Sequence, residues 1–187
     1  MSRITAETIF LLITVVVGFV SNCLAVFLKQ WIFTSNLQCM SSYASNFMDG
    51  VPQDTRRHGV GLVPFHFSCR PYFRACSVMM IIAFSLYIVL VGSFVFALVC
   101  SMLKKTKLAR TGYSVVAILS FITAALQITS FIVTLVCEND WSGGPVVGVS
   151  CYLALGSAIF GFFTLALSWF MYIKKEGKSV EWSDGAQ

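Results

Sequence analysis

Residues 75–110, ACSVMMIIAFSLYIVLVGSFVFALVCSMLKKTKLAR, decide the fold because a long apolar run is followed directly by a cluster of positive charge. The run 75–103 contains no charged residue, whereas residues 104–110 carry four basic side chains. A helix needs about 20 mostly apolar residues to cross the hydrocarbon core of a bilayer. Because backbone polar groups must be paired in lipid, this run is predicted to be a membrane-spanning helix.

Three further charge-free runs have the same character, at residues 8–28, 111–137 and 141–173. Each run is long enough for one span and too short for two spans with a turn. The composition agrees, since 57% of the residues are hydrophobic and 11% are charged, against about 45–50% and 25% in soluble domains. The first run is longer than the apolar core of a cleaved signal peptide, so we expect it to be retained. The sequence predicts one four-span domain over residues 1–187, with spans at about 7–28, 76–102, 111–136 and 150–173.

The distribution of lysine and arginine predicts the orientation of these spans. The segment between spans two and three is basic, and the segment after span four begins with Lys174 and Lys175. The loop between spans three and four carries Glu138 and Asp140 but no lysine or arginine. Because basic residues favour the cytoplasmic side, we expect a multi-pass membrane protein with both termini in the cytoplasm. The predicted first extracellular loop is 29–75, the second is 137–149, and the cytoplasmic tail is 174–187.

The first predicted loop is too long for a simple connector and too short for an ordinary independent domain. Residues 29–35 and 59–68 have the composition of strands, and the polar stretch 41–58 between them is typical of turns. The predicted fold class is therefore an all-α membrane protein, a four-transmembrane-helix bundle with a small extracellular β-sheet from the first outer loop.

Five of the seven cysteines fall on the predicted oxidising side or at its membrane edge, where disulfides form. One candidate pair is Cys69 with Cys76, which would join the end of a strand to the start of span two. Another is Cys137 with Cys151, which would close the second loop and leave Cys39 over. A pairing of Cys39 with one of the second-loop cysteines is an open alternative.

The four charge-free runs contain no ionisable acid, base or histidine, which argues against a transporter or an intramembrane enzyme. No enzyme activity and no cofactor or metal are expected, and no basic aromatic face suggests nucleic-acid binding. The expected partners are the lipid bilayer and other membrane proteins. Five residues are candidates for helix-to-helix packing in lipid: Asn22, Gln127, Gly156, Ser157 and Gly161.

Four spans, a long first outer loop and a short second one make the chain resemble the claudin superfamily, which includes claudins, peripheral and epithelial myelin-type membrane proteins and calcium-channel gamma subunits. Trp31 stands just after span one, Gly61 and Leu62 begin a Gly-Leu-Trp-like motif before two cysteines, and Arg74 precedes span two. Span four carries a similar Gly-rich aromatic motif at residues 156–162. The sequence departs from the family pattern at Val63, which replaces the motif tryptophan, and in the positions of its cysteines.

The resemblance implies a left-handed bundle topped by a sheet, with Trp31 as its anchor and Cys69–Cys76 as its disulfide. It implies action through the extracellular loops in cell–cell junctions, adhesion or a paracellular barrier. The alternative that the family offers is an auxiliary, gamma-type subunit that binds and modulates an ion channel or receptor.

Overall fold

The computed structural model describes residues 6–28, 31–34, 58–60, 71–139 and 146–184. Its helices are α1 (Ala6–Phe27), α2 (Pro71–Met102), α3 (Thr106–Asn139) and α4 (Val149–Asp184). By length and composition, all four contain a stretch able to cross a membrane: Ala6–Phe27, Arg74–Met102, Thr106–Val136 and Val149–Lys174. The predicted bundle of four membrane-spanning helices is confirmed.

The helices extend beyond the apolar runs from which they were predicted. Helix α2 begins at Pro71, inside the predicted first loop, because proline at a first helical position lacks only an amide that the helix does not use. Helix α3 already includes Lys107 and Arg110, and α4 continues to Asp184 through the predicted tail. The helices therefore include polar residues on either side of the apolar stretches from which the spans were predicted.

The bundle is held together mainly by three pairs of helices: α2 with α3, α3 with α4, and α4 with α1. Helices α1 and α2 touch less, and aromatic rings contribute to their contact. The ring of Phe84 stacks on Phe19 at 6.2 Å between centroids and meets Phe27 edge-on at 5.4 Å. The outward surface of all four helices carries large exposed apolar side chains, such as Phe10, Ile88 and Phe163. This surface is matched to lipid acyl chains.

Three short strands accompany the helices: β1 (Ile32–Thr34), β2 (His58–Val60) and β3 (Val146–Val147). They pair in the order β2-β1-β3, with β1 antiparallel to both neighbours. Ile32 is opposite Val60 in one pair and opposite Val147 in the other. Because β1 follows α1 closely and β3 precedes α4, the strands mark one end of the bundle, which we call the Trp31 end.

The opposite end, which we call the turn end, contains the three-residue connection 103–105 between α2 and α3. Lys104 adopts a left-handed conformation with φ of 59°. Its amide donates to the Ser101 carbonyl at 3.2 Å, and the Lys105 amide donates to the Cys100 carbonyl at 2.9 Å. These two bonds form a Schellman motif, which satisfies carbonyls at the end of α2 and reverses the chain.

Candidate functional site

Trp31 connects the strands to the helix bundle. Its side chain is fully buried, and its indole Nε1 donates a hydrogen bond to the carbonyl of Ala25 near the end of α1. Its own carbonyl accepts a bond of 2.7 Å from the Gly148 amide, just before α4. The Ser150 hydroxyl also donates to the Leu28 carbonyl at 3.3 Å. The carbonyls at the end of α1 and just after it are thus paired with the Trp31 indole and with the first turn of α4.

The Trp31 ring packs in a buried cluster that draws on three helices. Its buried members besides Trp31 are Ala25, Val26, Cys76, Met80, Cys151 and Ala154. Replacing a buried tryptophan with alanine costs about 3–5 kcal/mol, more than the 0.5–1.5 kcal/mol of one hydrogen bond. Packing of the indole, rather than its single hydrogen bond, therefore contributes most to fixing the start of the first loop.

Two of the predicted disulfide cysteines lie in this cluster. The Cys76 thiol donates to the Ser130 carbonyl at 3.6 Å and accepts from the Thr134 hydroxyl at 3.7 Å. Cys151 is buried as a thiol at the start of α4. Cys39 and Cys69 lie outside the described residues, as does the side chain of Cys137. The predicted disulfide pairings therefore stay predictions.

The other residues that carry the family resemblance have different positions. Gly61 and Leu62 lie outside the described residues. Arg74 is exposed in the first turn of α2, at the start of the apolar stretch Arg74–Met102. It stands just before the predicted span two at 76–102.

A polar layer crosses the interior of the bundle within its apolar part. The Gln127 Nε2 amide of α3 donates to the Ser157 hydroxyl of α4 at 3.0 Å, and that hydroxyl donates to the Gly18 carbonyl of α1 at 2.8 Å. Both side chains are fully buried. Three helices are thus joined by two hydrogen bonds between groups that lipid cannot solvate.

Asn22 and Tyr87 are two further polar residues near the layer formed by Gln127, Ser157 and the Gly18 carbonyl. Both are fully buried, and neither the Asn22 amide nor the Tyr87 hydroxyl has a hydrogen-bond partner in the part of the chain that the structure describes. A Cβ atom added to Gly18 would overlap the Tyr87 hydroxyl, which places Tyr87 directly against α1. Tyr87 and Gly18 were not predicted as contact residues, because no spacing rule relates positions on two different helices.

The small residues predicted for helix packing divide into two groups. A Cβ on Gly161 would lie 3.2 Å from the Ala124 Cβ, so α3 and α4 approach closely at this glycine. Gly156 is different, since a Cβ there would meet nothing within 4 Å. The packing role expected of Gly156 therefore stays a prediction. Sequence reasoning missed Gly112, whose Cβ would lie only 2.7 Å from the Ala97 Cβ of α2.

The turn end has its own polar contacts. The Arg110 guanidinium donates to the Tyr172 hydroxyl at 2.7 Å and lies 4.6 Å from the centre of that ring. The Trp169 ring stacks on Tyr172 at 5.4 Å. Lys174 forms an ion pair with Glu7 at 2.6 Å, which joins α4 to α1. Two of the basic residues near this end are therefore engaged with partners inside the protein.

The arrangement is suited to assembly in a membrane. Among the described residues, no group of three or more histidine, cysteine, aspartate or glutamate side chains is placed to hold a metal ion. The buried polar groups described above are amides, hydroxyls and thiols, and those of Gln127 and Ser157 form hydrogen bonds between helices. The loops leave the bundle at positions fixed by Trp31, Gly148 and Ser150, so their starting points are set by the bundle.

A family model described as "Tight junction protein, Claudin-like" matches residues 1–179. No curated protein matches the chain. Because the family match covers nearly all of the sequence, the chain belongs to the claudin-like tight junction family.

Proposed function

We propose that this member of the claudin-like tight junction family is a plasma-membrane protein of cell–cell junctions. It would form adhesive or barrier contacts through its two extracellular loops, 29–75 and 137–149. The observation that carries the proposal is the family match, which covers residues 1–179 and so includes all four candidate membrane spans. The four apolar helices support it, because junction strands are assembled from proteins that stay in the bilayer.

The proposal places the Trp31 end outside the cell and both termini in the cytoplasm. The basic residues of the turn end support this orientation, since lysine and arginine in short loops favour the cytoplasmic side. Lys174 of α4 pairs with Glu7 near the start of α1. This basic residue therefore also lies at the turn end and supports the same orientation. The pairing of β1 with β2 and β3 then becomes a small extracellular sheet that includes parts of both loops.

The contacts of Trp31 explain how two separate loops would act as one surface. The Trp31 carbonyl binds the Gly148 amide, so the first loop begins where the second loop ends. The indole is packed against α1, α2 and α4, which gives this junction a fixed position on the bundle. A contact surface made from both loops needs such a common base, because each loop alone is too short for an independent core.

The test is expression of the full chain in cells that lack junctions. We expect enrichment of the protein at cell–cell contacts, intramembrane strands seen by freeze-fracture, and increased resistance to ion flow between cells. Trp31→Ala is expected to reduce these effects, whereas Trp169→Ala is the matched control, because Trp169 is exposed at the turn end. Surface labelling of both variants separates lost adhesion from lost delivery to the membrane.

The alternative is an auxiliary subunit of a channel or receptor, and the same cells distinguish the two. Purification in mild detergent would then recover a larger membrane protein in fixed ratio, with no enrichment of the chain at cell contacts. That result would overturn the junction proposal. Mass mapping without reduction tests the proposed Cys69–Cys76 disulfide of the sheet separately, and two unlinked thiols would contradict it.

A further inference from the structure

The turn end carries three exposed lysines in a span of four residues: Lys104, Lys105 and Lys107. The sequence has no acidic residue between Asp54 and Glu138, so no neighbour in the chain neutralises them. Glu7 is the acidic side chain described at this end, and it is already paired with Lys174 at 2.6 Å. Arg110 is turned to Tyr172. Among the charged side chains that the structure describes at this end, the three lysines are therefore the exposed ones without an acidic partner.

The backbone that carries the lysines has a defined shape. Lys104 lies in the left-handed region, and the amides of Lys104 and Lys105 are both bonded to carbonyls of α2. Lys107 lies in the first turn of α3. A ligand that binds the three ammonium groups therefore meets a preformed turn. Its binding does not carry the entropic cost of ordering a flexible loop.

Apolar side chains surround the same turn. Met102, Leu103 and Leu108 are 47%, 62% and 46% exposed. Exposed apolar side chains this close together indicate a surface that contacts lipid or protein and not water. Trp169 and Tyr172, stacked together near the end of the α4 span, are residues typical of the membrane interface. The turn therefore lies at the level where acyl chains meet headgroups, with the ammonium groups on the headgroup side.

We propose that Lys104, Lys105 and Lys107 form a binding site for the phosphate-bearing headgroups of anionic phospholipids. The negative headgroup is complementary to the unpaired charge, and the exposed Leu103 and Leu108 would contact the acyl chains of the same lipid. Basic residues immediately beside a membrane span each strengthen binding to anionic lipid, by about fivefold per residue. The site is independent of the extracellular loops, so it does not rest on the junction proposal.

The test uses the full chain in nanodiscs that contain phosphatidylcholine with a minor fraction of phosphatidylserine. Spin-labelled versions of the two lipids measure how strongly each associates with the protein. The protein is expected to favour phosphatidylserine, and the preference should fall about fivefold for each lysine replaced with glutamine. Lys104→Gly is included because glycine suits the left-handed conformation, so a lost preference there does not reflect a damaged turn.

Two further variants separate charge from structure. Thr106→Glu adds a negative charge among the lysines at a position where the helix dipole tolerates it, and it should lower the preference as one lost lysine does. The double variant Glu7→Gln/Lys174→Gln removes an ion pair at the same end without changing net charge, and it should leave the preference unchanged.

Excess inorganic phosphate distinguishes a lipid site from a general phosphate site. If phosphate displaces the spin-labelled phosphatidylserine in proportion to its concentration beyond the effect of equal ionic strength, the site binds free phosphate, and the lipid assignment is overturned. Equal association of both lipids with the unmodified protein would overturn it too, as would a triple Lys104→Gln/Lys105→Gln/Lys107→Gln variant that retains the preference.

Discussion

Helices α2 and α3 approach closely at Gly112, and this contact gives a stability prediction that can be tested directly. A Cβ added there would lie 2.7 Å from the Ala97 Cβ, 3.1 Å from the Ala97 Cα and 3.4 Å from its amide nitrogen. Carbon atoms in good contact are about 3.5–4.0 Å apart. The opposing atoms are backbone and Cβ, which no side-chain rotation can move, so Gly112→Ala must push the two helices apart.

The magnitude follows from two opposing effects. Overpacking of a tight contact costs about 1–3 kcal/mol, because displacement of one helix loosens its neighbouring contacts. The greater helix propensity of alanine returns about 1 kcal/mol. We expect Gly112→Ala to lower the free energy of unfolding by up to about 2 kcal/mol. Gly92→Ala, at a position of α2 where a Cβ meets nothing within 4 Å, should leave stability unchanged or raise it.

The assay is reversible unfolding in mixed micelles of mild detergent and sodium dodecyl sulfate, followed by circular dichroism. The double variant Ala97→Gly/Gly112→Ala should recover part of the loss, because it removes the nearest opposing carbon. If Gly112→Ala is as stable as Gly92→Ala, or if Ala97→Gly gives no recovery, the close approach does not limit packing and the reasoning fails.

Three further predictions use the same assay. Gly18→Ala should destabilise the bundle by about 1–3 kcal/mol, because the new Cβ meets the Tyr87 hydroxyl, and Tyr87→Phe should recover much of this loss; equal losses with and without the hydroxyl would contradict the contact. Ser157→Ala should cost about 1–2 kcal/mol by leaving the Gln127 amide unpaired, and the double variant Gln127→Leu/Ser157→Ala should be more stable than Ser157→Ala alone. If Ser157→Ala leaves the free energy of unfolding unchanged, these two hydrogen bonds do not stabilise the bundle. Lys104→Gly should raise stability by up to about 1 kcal/mol and Lys104→Val should lower it, because only glycine adopts the left-handed conformation without strain; similar effects of both would show that the turn relaxes.

The sequence indicated some residues of the candidate site but not their contacts. Trp31, Gln127 and Ser157 were singled out because a tryptophan at a span end and polar groups at membrane depth are conspicuous in an apolar sequence. Their partners were not predicted: the Ala25 and Gly18 carbonyls are backbone groups present at every position. The sequence does not distinguish Gly156 from Gly161. In the structure, a Cβ on Gly161 would contact Ala124, whereas a Cβ on Gly156 would meet nothing within 4 Å.

The sequence by itself determined the four spans, since transfer of apolar residues out of water depends on composition and length more than on the neighbours they meet. It also determined where positive charge collects, at the turn end. The tertiary structure alone decided which helices touch, where the backbones come closest, and how Trp31 fixes the start of one loop to the end of the other. Lipid is as apolar as the helix surfaces, so the hydrophobic pattern does not choose between faces, and that choice is made by close packing and a few hydrogen bonds.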